Sequence, residues 1–152
     1  VVDAAEWVGP YNDLTFGFHQ VAKYYYYPGW HEPGSTLEII INKDALMSLP
    51  KDLQAIMKYA AKAANQEMLD EYTARNNQAL TELTEKHDVK LRKLPDEVLI
   101  ALRDISEDVM IDFIEGDEMA TRVYNSYVAF KDQVISYHRI SEKAYIDTRE
   151  LD

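Results

Sequence analysis

Glu6 and Glu32 carry the most chemical information in this chain, because each carboxylate stands beside a tryptophan and near a glycine and a proline that fix the backbone. The first lies in Glu6-Trp7-Val8-Gly9-Pro10-Tyr11, the second in Tyr24-Tyr25-Tyr26-Tyr27-Pro28-Gly29-Trp30-His31-Glu32-Pro33-Gly34. Hard cations such as Na⁺ and Ca²⁺ take carboxylate, carbonyl and water oxygens, so Glu6, the Trp7 carbonyl and Glu32 are a candidate oxygen set. Spacing alone favours the plainer reading: the two acids are 26 positions apart, which is no helical interval, and two surface carboxylates beside ordinary turns account for them better. Trp7 and Trp30 are candidate cleft walls by the same adjacency, although a tryptophan beside a turn also plugs a core edge. In a strand, Tyr24 and Tyr26 face one side and Tyr25 and Tyr27 the other, so one pair at most lines a cleft.

Catalytic constellations are absent from the sequence. His19, His31, His87 and His138 form neither a His-x-x-x-His pair nor a His-Glu-x-x-His arrangement, which gives no support to a zinc site. His31 and Glu32 are adjacent, and adjacent residues in an extended segment point apart. No nucleophile elbow, glycine-rich phosphate loop or catalytic lysine motif accompanies them. The residues favour binding over catalysis, and the chain is expected not to be an enzyme. With no cysteine, disulfides, thiol nucleophiles and thiolate metal sites are excluded together, and the redox compartment stays open.

A formal net charge of -11 over 152 residues repels phosphate backbones and anionic lipid surfaces, which argues against nucleic-acid and membrane-surface binding. A hydrophobic content of 47% in a chain this long is enough for a domain that buries roughly two-thirds of its unfolded surface. No apolar run approaches the ~20 residues needed to cross a bilayer.

The elements that must position these residues follow from punctuation and periodicity. Asn12 or Asp13 is expected to cap a short helix from about Leu14 to Ala22. Tyr24–Tyr27 and Leu37–Asn42 read as strands separated by Pro33-Gly34-Ser35. Asn42 can cap a brief helix over Lys43–Ser48, and Pro50 suits a first helical position. From Pro50 to about Lys86 there is no glycine or proline, and apolar residues recur at helical spacing, which predicts a rod of roughly 55 Å. A compact domain of this size has a radius of gyration of only about 15 Å, so the rod is expected to span something larger than this chain. Val89–Leu94 reads as an edge strand, Asp96–Glu115 as a helix, and Glu118 to about Thr148 as a final helix with an apolar stripe through Met119, Val123, Tyr127, Phe130, Val134, Tyr137 and Ala144. The resulting organisation is a cleft-forming α/β segment at 1–49, a spanning helix at 50–86, a strand and helix at 87–116, and a C-terminal helix at 117–152.

The two motifs, with Asn42-Lys43, Leu49-Pro50 and the long helix, closely resemble the extracytoplasmic solute receptors of tripartite ATP-independent periplasmic (TRAP) transporters, DctP-like, in their 2-oxo-acid or mannitol/chloroaromatic-type subgroup. The resemblance implies an α/β, helix-rich fold, the C-terminal portion of a two-lobe periplasmic-binding-protein-like receptor that closes on a small carboxylate and delivers it to a membrane permease. It also implies a cation, Na⁺ or Ca²⁺, that bridges a 2-oxo or 2-hydroxy acid to Glu6, the Trp7 carbonyl and Glu32. Trp7, Trp30 and Glu32 would then face the substrate, in the periplasm. Such a cation lets an acidic protein hold an anionic ligand that its own charge repels.

Receptors of this kind grip the carboxylate with an arginine in a preceding segment, and none of Arg75, Arg92, Arg103, Arg122, Arg139 or Arg149 lies in that motif. The chain is therefore expected to be a fragment that lacks the first lobe and the leader. Uncovered strand edges and helix faces in such a fragment predict self-association, including a dimer that exchanges the C-terminal helix. The competing reading is a helical protein-interaction module whose aromatic N-terminal segment is merely core.

Overall fold

The computed structural model describes residues 2–34, 38–149 and 151. The chain divides into two compact units, Val1–Pro95 and Asp96–Asp152.

In the first unit, helix α1 (Pro10–Thr15) starts earlier than the expected Leu14. Pro10 occupies the opening position, where its missing N–H costs nothing, and Gly9 precedes it as the cap residue. Asn12 and Asp13 thus lie inside the helix and do not cap it. Gly17, at φ 73, ends this stretch in the left-handed region, and a single 3₁₀ turn over Phe18–Gln20 follows. The expected helix to Ala22 is cut short by that glycine.

Strand β1 (Tyr24–Tyr27) pairs in parallel with β2 (Lys90–Lys93), in the register Tyr24 to Lys90 through Tyr27 to Lys93. The Lys90 N–H donates to the Lys23 carbonyl and the Leu94 N–H to the Tyr27 carbonyl, each at 2.8 Å. A parallel pair needs a long crossover. Here it contains α2 (Lys43–Ser48) and α3 (Lys51–Glu85). The Asn42 side chain caps α2 by accepting from the Ala45 N–H at 2.9 Å, while Pro50 sits one place outside α3, which opens at Lys51. Of the strand expected over Leu37–Asn42, Leu37 lies outside the described residues. Residues 38–42 form no strand, because no described neighbour offers them a ladder, and Ile39 to Ile41 are exposed.

Helix α3 has 35 residues, a rod of about 52 Å. Its apolar burial is confined to one end. Ala79 and Leu83, with Val89 just beyond the helix, are the buried apolar side chains among the described residues, and Leu83 is only 2% exposed. Asp88 turns the chain there at φ 55, a region that aspartate tolerates better than most residues. That turn returns the Val89 N–H to the Leu83 carbonyl at 3.0 Å. Elsewhere on α3, Leu53, Ile56, Tyr59 and Leu69 are exposed.

In the second unit, α4 (Asp96–Ile114) follows Pro95, with Asp96 and Glu97 in its first turn complementing the helix dipole. Gly116 turns the chain at φ 77, and the Asp117 carboxylate caps the next helix by accepting from the Ala120 N–H at 2.8 Å. The helix expected from Glu118 to Thr148 is in fact two, α5 (Glu118–His138) and α6 (Glu142–Thr148). The α-helical ladder ends between them as the Ile140 and Ser141 N–H groups bond three residues back, to the Tyr137 and His138 carbonyls, and Ser141 leaves helical geometry. No side chain of α4, α5 or α6 is fully buried.

Candidate functional site

Glu6, Trp7 and Val8 form an irregular segment that leads into α1. Its direction is set by Gly9 at φ 155, a conformation that residues with a Cβ rarely adopt. Asn76 of α3 then anchors the turn, its Oδ1 accepting from the Tyr11 N–H at 3.0 Å. The Tyr11 ring packs edge-on against Tyr72 at 5.8 Å, and the Arg75 guanidinium lies 5.3 Å from the Tyr11 ring centre while pairing with Glu71 at 2.7 Å. The first motif is therefore seated on the middle of the long helix.

The second motif leaves β1 through a cis Tyr27–Pro28 peptide and folds back on itself. A Cβ on Gly29 would stand 3.3 Å from the Glu32 carbonyl oxygen, a tight contact that marks the close return of the chain at this place. The fold brings the two motifs together: His31 Nε2 lies 3.8 Å from Glu6 Oε2. Trp30 packs against the His31 ring at 4.6 Å, and Trp7 meets Phe16 edge-on at 5.9 Å, with Phe16 stacked on Phe18 at 6.1 Å. Both tryptophans keep exposed faces. Glu32 makes no ion pair or side-chain hydrogen bond among the described residues. No trio of His, Asp and Glu side chains in metal-binding arrangement occurs among them either, so a cation held by Glu6 and Glu32 would need carbonyl, water or ligand oxygens to complete its shell.

Behind the motifs lies a contact that the sequence did not disclose. The Tyr25 hydroxyl donates to Asp13 Oδ2 at 2.5 Å, joining α1 to β1. Asp13 is 6% exposed, and its other oxygen, Oδ1, has no hydrogen-bond partner. Burial pushes the Asp13 carboxyl above the ordinary range; the Tyr25 hydrogen bond opposes this and the negative charge of Glu6 adds to it. Burial, the hydrogen bond to Asp13 and the charge of Asp13 all hold the Tyr25 phenol above its usual value. Pro10 beside Gly9 is the signal that could have placed Asp13 inside a helix, whereas alternation in β1 only puts Tyr25 on the same face as Tyr27 and does not choose between them. His19 and His87 stack at 4.0 Å on the far side of α1 in sequence, outside both motifs.

No helix among the described residues is long and apolar enough to cross a membrane. Residues 1–117 match the bacterial extracellular solute-binding protein family 7, DctP. The monocarboxylate 2-oxoacid-binding periplasmic protein of Nostoc sp. strain PCC 7120 is 41% identical over 150 residues, covering 95% of this chain and 39% of that protein. A TRAP transporter solute-binding protein from Bordetella bronchiseptica RB50 superposes with a TM-score of 0.92 at 32% identity, over 97% of this chain and 44% of that one. Its crystal structure is a mixed-occupancy dimer with copurified calcium and picolinate in one active site and an apo second site. The chain thus spans well under half the length of these relatives, and its helix-rich α/β fold corresponds to part of a two-lobe receptor. These relatives bind solutes and are not enzymes, and the chain belongs to the bacterial extracellular solute-binding protein family 7.

Proposed function

We propose that these residues are part of the periplasmic solute-binding component of a TRAP-type transporter, which captures a small 2-oxo or 2-hydroxy carboxylate and passes it to the membrane permease. The observation that carries this reading is the approach of His31 to Glu6, which joins two carboxylate-and-tryptophan motifs into one locus on a chain of net charge -11. On this reading Glu6, the Trp7 carbonyl and Glu32 hold a hard cation, which supplies the positive charge that an anionic ligand needs there. Trp7 and Trp30 offer flat apolar faces to the ligand's carbon skeleton. The neighbour that holds calcium and picolinate supports Ca²⁺ as the first cation to test, with Na⁺ as the second.

Titration calorimetry of the receptor carrying these residues tests the reading. Pyruvate is expected to bind in the presence of Ca²⁺ or Na⁺, to lose its heat when the cation is chelated or exchanged for a bulky organic cation, and to lose it in Glu6→Ala. Cation-independent binding, or full binding by Glu6→Ala, overturns the cation bridge.

Self-association belongs to the same reading. The α5 stripe of Met119, Val123, Tyr127, Phe130 and Tyr137 is exposed along its length, and the Bordetella neighbour is a dimer. A homodimer covering that stripe is the expected state, and light scattering that returns a monomer at micromolar concentration overturns it.

A further inference from the structure

We infer that Asp13 and Tyr25 are positioning residues, a buried clamp that sets the distance between the two motifs of the candidate cation site. The inference rests on the reading of Glu6, Trp7 and Glu32 given above, and assigns a role to two residues outside that set.

The geometry is one of paired arms. Glu6 lies seven positions before Asp13, and Glu32 lies seven positions after Tyr25. Each arm is short on regular structure: 2–9 holds no helix or strand, and neither do 28–34. Loops of this kind do not fix the separation of their ends by themselves. What fixes it is the point where the arms are rooted, and the Tyr25 hydroxyl to Asp13 Oδ2 hydrogen bond of 2.5 Å is the side-chain bond that joins the two roots.

Three features make this bond more than an ordinary surface contact. Asp13 is among the few buried residues of the chain, and the only charged one among those described. Its Oδ1 has no partner, so the Tyr25 hydroxyl is the group that satisfies the carboxylate, and losing it leaves a buried carboxylate with nothing to bond. Asn76 accepts from the Tyr11 N–H in the same short helix, so α1 is pinned to α3 and the clamp transfers that fixed position to β1. The approach of His31 to Glu6 is then a consequence of the clamp, at the ends of the arms.

The test uses the receptor carrying these residues, with pyruvate and Ca²⁺ as probes, in wild type, Tyr25→Phe, Asp13→Asn and Asp13→Val. Tyr25→Phe removes one oxygen and keeps the ring. Asp13→Asn keeps an acceptor for the Tyr25 hydroxyl but removes the charge, and Asp13→Val removes both. Tyr25→Phe and Asp13→Val are each expected to weaken pyruvate binding by about tenfold or more, with Asp13→Asn restoring most of it. The nuclear Overhauser contact between the His31 ring and the Glu6 methylenes is expected to disappear in the first two variants and survive in Asp13→Asn. Wild-type affinity and an intact Overhauser contact in Tyr25→Phe overturn the clamp. Equal damage from Asp13→Asn and Asp13→Val also overturns it, because the charge of Asp13 would then act directly. If the wild-type receptor binds no pyruvate under any cation, the ligand reading fails, and the Overhauser contact still decides whether the clamp sets the spacing of the motifs.

Discussion

Replacing Leu83 with alanine tests whether the first unit depends on its few buried apolar side chains. Leu83 is 2% exposed and is the largest fully buried side chain described; its companions are Ala79, one helical turn earlier on the same face, and Val89, whose N–H returns to the Leu83 carbonyl. Leucine-to-alanine changes at such sites cost about 2.7–5 kcal/mol, the spread reflecting how far the site collapses around the void. A core this small has little surrounding structure to hold a cavity open, so about 3 kcal/mol is the appropriate figure. For a unit of this size each kcal/mol shifts the melting temperature by about 4–8 °C, giving a drop of roughly 12–24 °C in the 152-residue chain. Thermal circular dichroism measures the drop, and amide exchange shows where the unfolding begins. The Lys90 and Leu94 amides, bonded to Lys23 and Tyr27 across the strands, are expected to exchange faster first, because β2 starts where the core ends. Leu69→Ala is the control, since Leu69 is 58% exposed on the same helix and predicts almost no shift. A shift below about 4 °C in Leu83→Ala, or one no larger than in Leu69→Ala, refutes the reasoning.

Three further outcomes are expected. Gly9→Ala forces a side chain into φ 155 with its Cβ 3.4 Å from Asn76 Oδ1, and is expected to cost about 1–3 kcal/mol in urea denaturation. Asn42→Ala removes the α2 cap and is expected to cost about 1 kcal/mol, seen as faster exchange of the Ala45 amide. Asp13, whose carboxyl is raised by burial, contributes stability that is fully present below its unfolded value of ~3.9 and is lost as pH rises through its folded value. Asp13→Asn lacks that dependence, so its stability relative to wild type is expected to be higher at pH 7 than at pH 3.5; the opposite order in denaturant titrations at the two pH values contradicts the assignment.

The helices were legible where glycine, proline and a side-chain cap punctuate them. Asn42 announced α2, and the run without glycine or proline announced α3. The start of α1 was misplaced because Asn12 and Asp13 are good caps in isolation, whereas Gly9-Pro10 had already opened the helix three residues earlier. The break at 139–141 was hidden because no glycine or proline marks it, and Ser106 and Ser136 make the same hydroxyl bond to a carbonyl four residues back inside unbroken helices as Ser141 does at the break. The two motifs were visible as local patterns of residue type. Their meeting through His31 and Glu6 was not, since it depends on a parallel strand pairing between residues more than sixty positions apart. The Asp13–Tyr25 bond was illegible for the same reason: nothing local in a run of four tyrosines says which hydroxyl will find a carboxylate.

Helix α3 is anchored at one end and seated against α1 near its middle, which makes it a lever. From Leu83 to Lys51 the rod runs about 48 Å, so a tilt of about 5° at the buried end carries the other end by about 4 Å. Tyr72, Arg75 and Asn76, which bear the Gly9–Tyr11 turn, lie about 10–16 Å from that fulcrum and would move by about 1 Å. A movement of about 1 Å at the hydrogen bond between Asn76 and Tyr11 thus becomes, at the far tip, a movement the size of a side chain.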